Sequence, residues 1–187
     1  MLNRAEIEKL IKDYGLVVDY LNLDIQLTPN GFDLTVASIF EFDAAGALDF
    51  SNKERVIPEG KEIFPEKLTP QDKLGTSNAL AADGERSRAT GWWNLKKGAY
   101  KIKTNETVSL PKDLIGVAFS RTSLLRVGGS TQHGVWDAGF RGRSEFILTV
   151  DNPKGIRIKQ NARIAQLTFH KIKEVDCGYQ GIYQDKK

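Results

Sequence analysis

Three short segments in the C-terminal half of the chain carry side chains suited to chemistry, and they follow one another in order. Ser120-Arg121-Thr122-Ser123-Leu124 offers a guanidinium among hydroxyls. A planar guanidinium fork can hold two phosphate oxygens, and hydroxyls can donate to others. Arg126 lies close by. Gly134-Val135-Trp136-Asp137-Ala138-Gly139-Phe140-Arg141-Gly142 sets one carboxylate between two bulky aromatics in a glycine-rich stretch. A carboxylate beside an apolar cleft can take a proton from water. Gly128, Gly129, Gly134, Gly139 and Gly142 crowd into fifteen residues, a density that lets backbone approach a ligand closely. Asn161-Ala162-Arg163-Ile164-Ala165-Gln166-Leu167 adds an arginine and an amide at the edge of an apolar run. Phosphate contacts, a base for water and a close-fitting turn are together the parts for hydrolysing a nucleotide.

Each segment also has an ordinary structural reading. The first could be a helix cap with a surface arginine. Asp137 could be a turn residue of a hairpin, and Gln166 a satisfied amide in a core strand. Asn30-Gly31-Phe32-Asp33-Leu34 repeats the pattern of glycine then aspartate before a strand. Asp33 there could order metal-bound water, brace a phosphate loop or simply make a turn. His133 adjoins the glycine-rich stretch and could touch a ligand, whereas His170 reads as structural or exposed. Neither has a serine or cysteine partner at a recognisable spacing, so triad chemistry has no support. A Gly-Lys-Ser/Thr phosphate loop is also missing.

These side chains need elements to position them. Asn3–Tyr14 reads as a helix: Asn3 caps it, Glu6 closes a capping box, Ile7, Leu10 and Ile11 share a face, and Gly15 ends it. Beyond it the chain is strand-like. The runs are 34–40, 99–103, 107–110, 115–119, 145–150, 155–158 and 164–169, with Gly, Pro, Asn or Asp in the gaps. Such short punctuated strands predict an all-β architecture, a mostly antiparallel barrel or jelly roll carrying an N-terminal helix. Residues 43–90 are polar, carry Pro58, Pro65 and Pro70, and read as a long excursion with one or two strands between about 54 and 64. Trp92 and Trp93 then return to the core.

Composition narrows the function classes. At 187 residues the chain fits one domain with a sizeable core. A net charge of +3 is too small to argue for a nucleic-acid partner. The single cysteine, Cys177, excludes an intramolecular disulfide and the multi-cysteine site of zinc-dependent base deaminases. No apolar run reaches the roughly 18 residues of a membrane span, and the charged N-terminus is unlike a signal peptide. A reduced, cytoplasmic protein without a membrane partner is expected.

Taken in order, the segments resemble the motifs of the dUTPase and dCTP deaminase superfamily. Gly31–Leu34 looks like its first motif, Arg121–Leu124 its second, Gly134–Gly142 its third and Ala162–Leu167 its fourth. The stretch from Gly98 to Gly116 is similar to the strand pair before the second motif. Tyr179-Gln180-Gly181-Ile182-Tyr183-Gln184 resembles the tyrosine-rich closing segment of the deaminase-like branch, common in archaea. The likeness covers residues 27–184.

The resemblance implies a homotrimer of distorted jelly rolls, or β-clip barrels, with active sites between subunits and Mg²⁺ on a triphosphate. It implies a single domain, 1–187, whose residues 176–187 close the site. Deaminases of this family carry a glutamate ten residues after the third-motif aspartate. Here that position is Ile147, and Glu145 is a two-residue slip away on the same face. Gly134 stands three before the aspartate, as in dUTPases, where deaminases usually have histidine. Both positions favour dUTP diphosphatase activity, giving dUMP and pyrophosphate. A dCTP deaminase or a bifunctional dCTP deaminase/dUTPase is the alternative.

By resemblance, Asp137 would activate water, and Arg121, Thr122, Ser123, Arg126 and Gln166 would bind phosphates. Thr131, Gln132, His133 and Gly134 would read uracil, with Phe140 under the deoxyribose. Tyr179, Tyr183 and Gln184 would close the site, and Asp33 would reach the metal through water. The chain departs from the pattern at Phe140, where dUTPases usually have tyrosine, and at Trp136, where the residue is usually a smaller aliphatic. At Ile182 the deaminase branch often has lysine.

Overall fold

The computed structural model describes residues 1–66 and 91–185. The N-terminal helix forms as its sequence dictates. Helix α1 spans Arg4–Tyr14, Asn3 and Glu6 make the reciprocal capping box, and Gly15 closes the helix at φ 73°. Ile7 and Ile11 are buried, and the Leu2 amide donates to the Phe169 carbonyl at 2.8 Å, which ties the helix to the last strand.

The strands are β1 (Val17–Val18), β2 (Leu27–Thr28), β3 (Gly31–Glu41), β4 (Lys61–Ile63), β5 (Trp92–Leu95), β6 (Gly98–Ser109), β7 (Leu114–Ser120), β8 (Gly129–Gln132), β9 (Arg141–Val150), β10 (Ile156–Lys159) and β11 (Arg163–Lys171). The main sheet runs β7–β11–β3–β6–β9–β8 with every neighbour antiparallel. Burial alternates along β6 and β9 with the period of two that a half-buried strand requires. The inward residues, such as Phe32, Leu34, Ile102, Leu148 and Leu167, form the core.

The sheet nearly closes on itself. Its two edge strands, β7 and β8, meet at Ser120. The Ser120 hydroxyl accepts from the Thr131 amide at 2.8 Å and lies 3.1 Å from the Thr131 hydroxyl. One side chain thus bridges what a backbone ladder would otherwise bridge, and the chain leaves the barrel at that seam to make the second segment.

Two sequence expectations need correction. The runs 99–103 and 107–110 are one strand, β6, whose register against β9 shifts between Lys103 and Thr107. Thr104-Asn105-Glu106 looks like a turn because it is polar, but its side chains bond inward, so it is a bulge. Two short helices interrupt the strands: α2 (Leu23–Gln26), which no sequence signal marks, and α3 (Thr122–Arg126), which fits the helix-cap reading of the second segment. At four and five residues they are too short to show a periodicity. In the excursion, β4 pairs with β3, and Ala47 bridges Val56; residues 67–90 lie outside the described residues. Trp93 returns to the core as expected, its indole donating to the Ile63 carbonyl at 2.8 Å. Among the described residues no helix is long and apolar enough to cross a membrane.

Candidate active site

The chemistry-bearing residues divide between two cavities that share no lining residue. The smaller, about 260 Å³, is a polar cup at the ends of β3, β7 and β11. The antiparallel register sets Gln166 beside Asp33 on one side and Phe119 on the other. Arg121 follows β7, and Thr122 and Ser123 begin α3 at the cup's rim.

Asp33 is the hub. Its side chain is 3% exposed, and its Oδ2 lies 3.0 Å from Arg121 Nε and 3.2 Å from Arg163 Nη1. Arg121 also donates to the Arg163 carbonyl at 3.2 Å, and Arg163 to the Ile25 carbonyl at 2.8 Å. Gln166 donates to the Thr28 hydroxyl at 2.6 Å. Burial pushes the Asp33 carboxyl above the ordinary aspartate range, and the two guanidiniums pull it back. Two arginines over one carboxylate leave the cup with a net positive charge, and hydroxyls and an amide complete the lining. That is the chemistry of an anion site.

The sequence pattern gives Arg163 no role in this cup, because of the strand's period. Positions 163 and 166 should face opposite sides of a regular strand. The register against β3 shifts between Arg163 and Ala165. That bulge turns both side chains into one cup, and nothing in the sequence marks it.

The larger cavity, about 550 Å³, lies against β9 and the segment before it. Aromatic rings line it. His133 stacks edge-on against Phe146 with centroids 4.4 Å apart and lies 5.7 Å from Trp136; Phe140 meets Tyr179 at 5.6 Å. Trp136 is buried, its indole donating to the Ser144 hydroxyl at 2.8 Å. Asp137 is exposed and lines this cavity. It begins a tight turn in which the Phe140 amide donates to the Asp137 carbonyl, with Gly139 at φ 82°. A Cβ at Gly139 would come within 2.7 Å of the Gly178 Cα, so glycine is required there twice over. At Gly134 an added Cβ would meet nothing within 4 Å, so no contact within the chain demands glycine.

His133 is half-buried, and its Nε2 is closed off from solvent without a hydrogen-bond partner among the described residues. Burial lowers its imidazole to about 4, so the ring is neutral near pH 7. A second carboxylate, Glu145, lines the same cavity. The register sets Lys103 opposite Glu145 and Lys101 opposite Ile147, and Lys101 reaches Glu145 diagonally at 3.8 Å.

The C-terminal segment folds back over the Asp137 turn. Tyr179 donates its amide to the Ala138 carbonyl at 2.8 Å, and Gln184 bonds both the Gly139 carbonyl and the Arg141 amide. Tyr179 and Tyr183 line the larger cavity; Gln184 acts beside it. Thr131 is buried at the seam and Gln132 is exposed on β8, and both lie outside the two cavities, as does Arg126 at the exposed end of α3. Ser120, quoted with the second segment, lines the cup, and Thr28 and Phe146 join the two cavities only through their places in the fold.

A family model described as dCTP deaminase-like matches residues 1–172. The chain belongs to the dCTP deaminase-like family. Among its relatives, a probable deoxyuridine 5'-triphosphate nucleotidohydrolase of Methanosarcina barkeri is 38% identical over 100% of this chain and 97% of its own. One of the same name from Archaeoglobus fulgidus is 36% identical over 98% and 95%. The deoxyuridine 5'-triphosphate nucleotidohydrolase of Methanocaldococcus jannaschii is 33% identical over 86% and 88%. Among solved structures, the 2'-deoxycytidine 5'-triphosphate deaminase of Agrobacterium tumefaciens superposes with a TM-score of 0.59 at 20% identity, over 92% of this chain. The chain spans about half, 47%, of that protein's length, and the likeness is one of fold. The family match ends before the closing segment, which bonds Ala138 beside Asp137.

Proposed function

We propose that this dCTP deaminase-like protein is a dUTP diphosphatase, which hydrolyses dUTP to dUMP and pyrophosphate. The observation that carries the reading is Asp137: an exposed carboxylate at an aromatic cavity, separate from a cationic cup suited to phosphates. Relatives over nearly the whole chain bear the name of that activity.

Asp137 orients a water and takes its proton as the oxygen attacks the α-phosphorus in line. The bond to the bridging oxygen breaks, and pyrophosphate leaves. Arg121, Arg163, Ser123 and Gln166 stabilise the charge that develops on the phosphate chain. The rings of Phe140 and His133 hold the sugar and base, and a neutral His133 adds no charge to the base pocket. We take the working form to be the cytoplasmic homotrimer of distorted jelly rolls that the family resemblance implies, and two cavities that share no residue suit such an assembly. Each active site would then pair one subunit's Asp137 cavity with another's Arg121 cup.

Among the described residues no cluster of His, Cys, Asp and Glu could cage a metal. The Mg²⁺ of this scheme would therefore be held by water and the substrate's phosphates, the binding mode usual for that ion. When bound, the ion would neutralise and orient the triphosphate. Asp33, expected to reach it through water, is engaged by two arginines, and its evident task is to aim them.

The test is pyrophosphate release from dUTP by the purified protein. Asp137→Asn is expected to lower kcat by about 10³-fold, within the range for a general base, while dUTP still binds. Retained turnover in this variant would remove Asp137 as the base. EDTA is expected to cut the rate sharply; an undiminished rate removes Mg²⁺ from the scheme.

One observation favours a second reading, dCTP deamination, alone or coupled to hydrolysis. Glu145 lies in the same cavity as Asp137. Its pairing with Lys101 and the isoleucine at position 147 argue against it as a proton shuttle. Stoichiometric ammonia from dCTP would reverse that judgement.

A further inference from the structure

A buried carboxylate that the hydrolysis does not use lies behind the cationic cup. Glu106 is fully buried in the β6 bulge, where an apolar side chain would be the inexpensive choice. Its Oε1 accepts from the Gln26 amide at 2.7 Å and from the Thr35 hydroxyl, and its Oε2 accepts from the Thr35 backbone amide at 3.0 Å. Burial pushes its carboxyl above the ordinary glutamate range, and the bonds from Thr35 and Gln26 pull it back.

Both routes out of this cluster lead to the cup. Along the first, the Gln26 amide that serves Glu106 also donates to the Asp33 carbonyl at 2.9 Å. The Gln26 oxygen accepts from the Leu21 and Asn22 amides at 2.8 and 3.0 Å, which seats α2. The Ile25 carbonyl of that helix holds Arg163. Along the second, the Thr35 hydroxyl accepts from Asn105, which also donates to Asn161 Oδ1 at 3.0 Å. Asn161 adopts the left-handed conformation, φ 67°, two residues before Arg163. The Asp33 carbonyl is thus reached from Glu106 through hydrogen bonds, and Arg163 through hydrogen bonds joined by one or two residues of backbone.

We infer that Glu106 is a positioning residue, holding β3, α2 and the Asn161 turn so that Asp33 aims Arg121 and Arg163 at the substrate's phosphates. The inference rests on the reading of this cup as the phosphate site. Glu106→Gln is the sharp test. It keeps the volume but presents an amide donor to a cluster in which Gln26 and Thr35 already supply donors, so at least one pair is mismatched.

Two ligands separate aiming from general support. Inorganic tripolyphosphate probes the cup alone, and deoxyuridine probes the aromatic cavity alone. Titration calorimetry on the full chain should show tripolyphosphate binding weakened at least about tenfold in Glu106→Gln, about 1.4 kcal/mol, with deoxyuridine affinity within about twofold of the original protein. Equal weakening of both ligands, or of neither, overturns the inference and makes Glu106 a structural residue only. If Glu106→Gln does not fold, Asn105→Ala cuts the second route from a half-exposed position and should shift tripolyphosphate binding selectively in the same direction. An unselective effect there overturns the inference equally. A protein that binds tripolyphosphate but leaves dUTP intact would sink the proposed activity and leave the Glu106 result standing.

Discussion

The two cavities are built on opposite principles. The Arg121 cup is preassembled: its carboxylate, guanidiniums, amide and hydroxyl already hydrogen-bond one another inside one chain. The Asp137 cavity is left open: its acid is exposed, its histidine nitrogen has no partner among the described residues, and its Gly134 faces empty space. A phosphate chain carries several charges, and binding it demands donors that need no reorganisation. On the proposed function this second cavity takes the base and sugar, which are recognised mainly by shape, so it can wait for its ligand to complete it. Folding free energy holds the first region in place; the second is organised by what it binds.

That contrast is tested most severely in the cup. Arg121→Ala removes a phosphate donor and leaves the nearly buried Asp33 with Arg163 as its remaining guanidinium. A loss of about 10²-fold in kcat/KM is expected, as for removal of one charge-stabilising donor, together with about 2 kcal/mol of stability. Arg121→Lys should recover stability better than activity, because an ammonium can pair with Asp33 but cannot fork across two oxygens. Steady-state kinetics beside thermal melts measure both. If Arg121→Ala loses activity without stability, the cup is not preassembled by folding.

Much of this was legible in the sequence, unevenly so. The α1 caps, the β-rich body and the order of the segments follow from local chemistry: Asn3 with Glu6, Gly15, and runs of Ile, Val and Phe between turn residues. Asp33, Arg121 and Gln166, each singled out by its motif, line one cavity. What stayed hidden depends on long-range register. Arg163 reaches the cup only through a bulge, Glu106 sits in a bulge that reads as a turn, and Thr28 arrives on a two-residue strand. A bulge has no composition of its own, and period-two reasoning misplaces every side chain beyond it. The segregation of the site into two cavities is likewise a property of the closed sheet, invisible to a reading along the chain.

The open cavity makes the converse prediction. Gly134→Ala adds a methyl group where the chain itself offers nothing to collide with. Melting temperature should therefore stay the same or rise slightly, since alanine restricts the unfolded chain. Activity should fall about tenfold or more, by roughly 1.4 kcal/mol of lost transition-state binding, if the space belongs to substrate or to a neighbouring subunit. Unchanged kinetics would show that the emptiness at Gly134 has no function. An unstable variant would show that the turn was constrained after all.

The smallest effect expected is on pH dependence, and it too separates the regions. His133 titrates near 4 in the folded chain against an ordinary 6.5, because burial disfavours the imidazolium. Above about pH 6.5 both folded and unfolded chains carry a neutral ring, and the residue adds no pH dependence. Between about 6.5 and 4 the unfolded chain holds a proton that the folded chain refuses, so stability drops as pH falls. Below 4 both are charged and the loss levels off. The slope cannot exceed about 1.4 kcal/mol per pH unit for one proton, and solvent at the cavity mouth reduces it further. Melts of the original protein and of His133→Phe at pH 7.5 and 5.5 isolate the effect, because phenylalanine keeps a ring against Phe146 and cannot take a proton. The histidine protein should lose more stability between those two values than the variant does. Equal losses would mean that the ring is solvated, and the cavity would then be wetter and less selective than its aromatic walls imply. Bound deoxyuridine should deepen the difference, since covering the cavity mouth buries the imidazole more fully while leaving the arginine cup untouched.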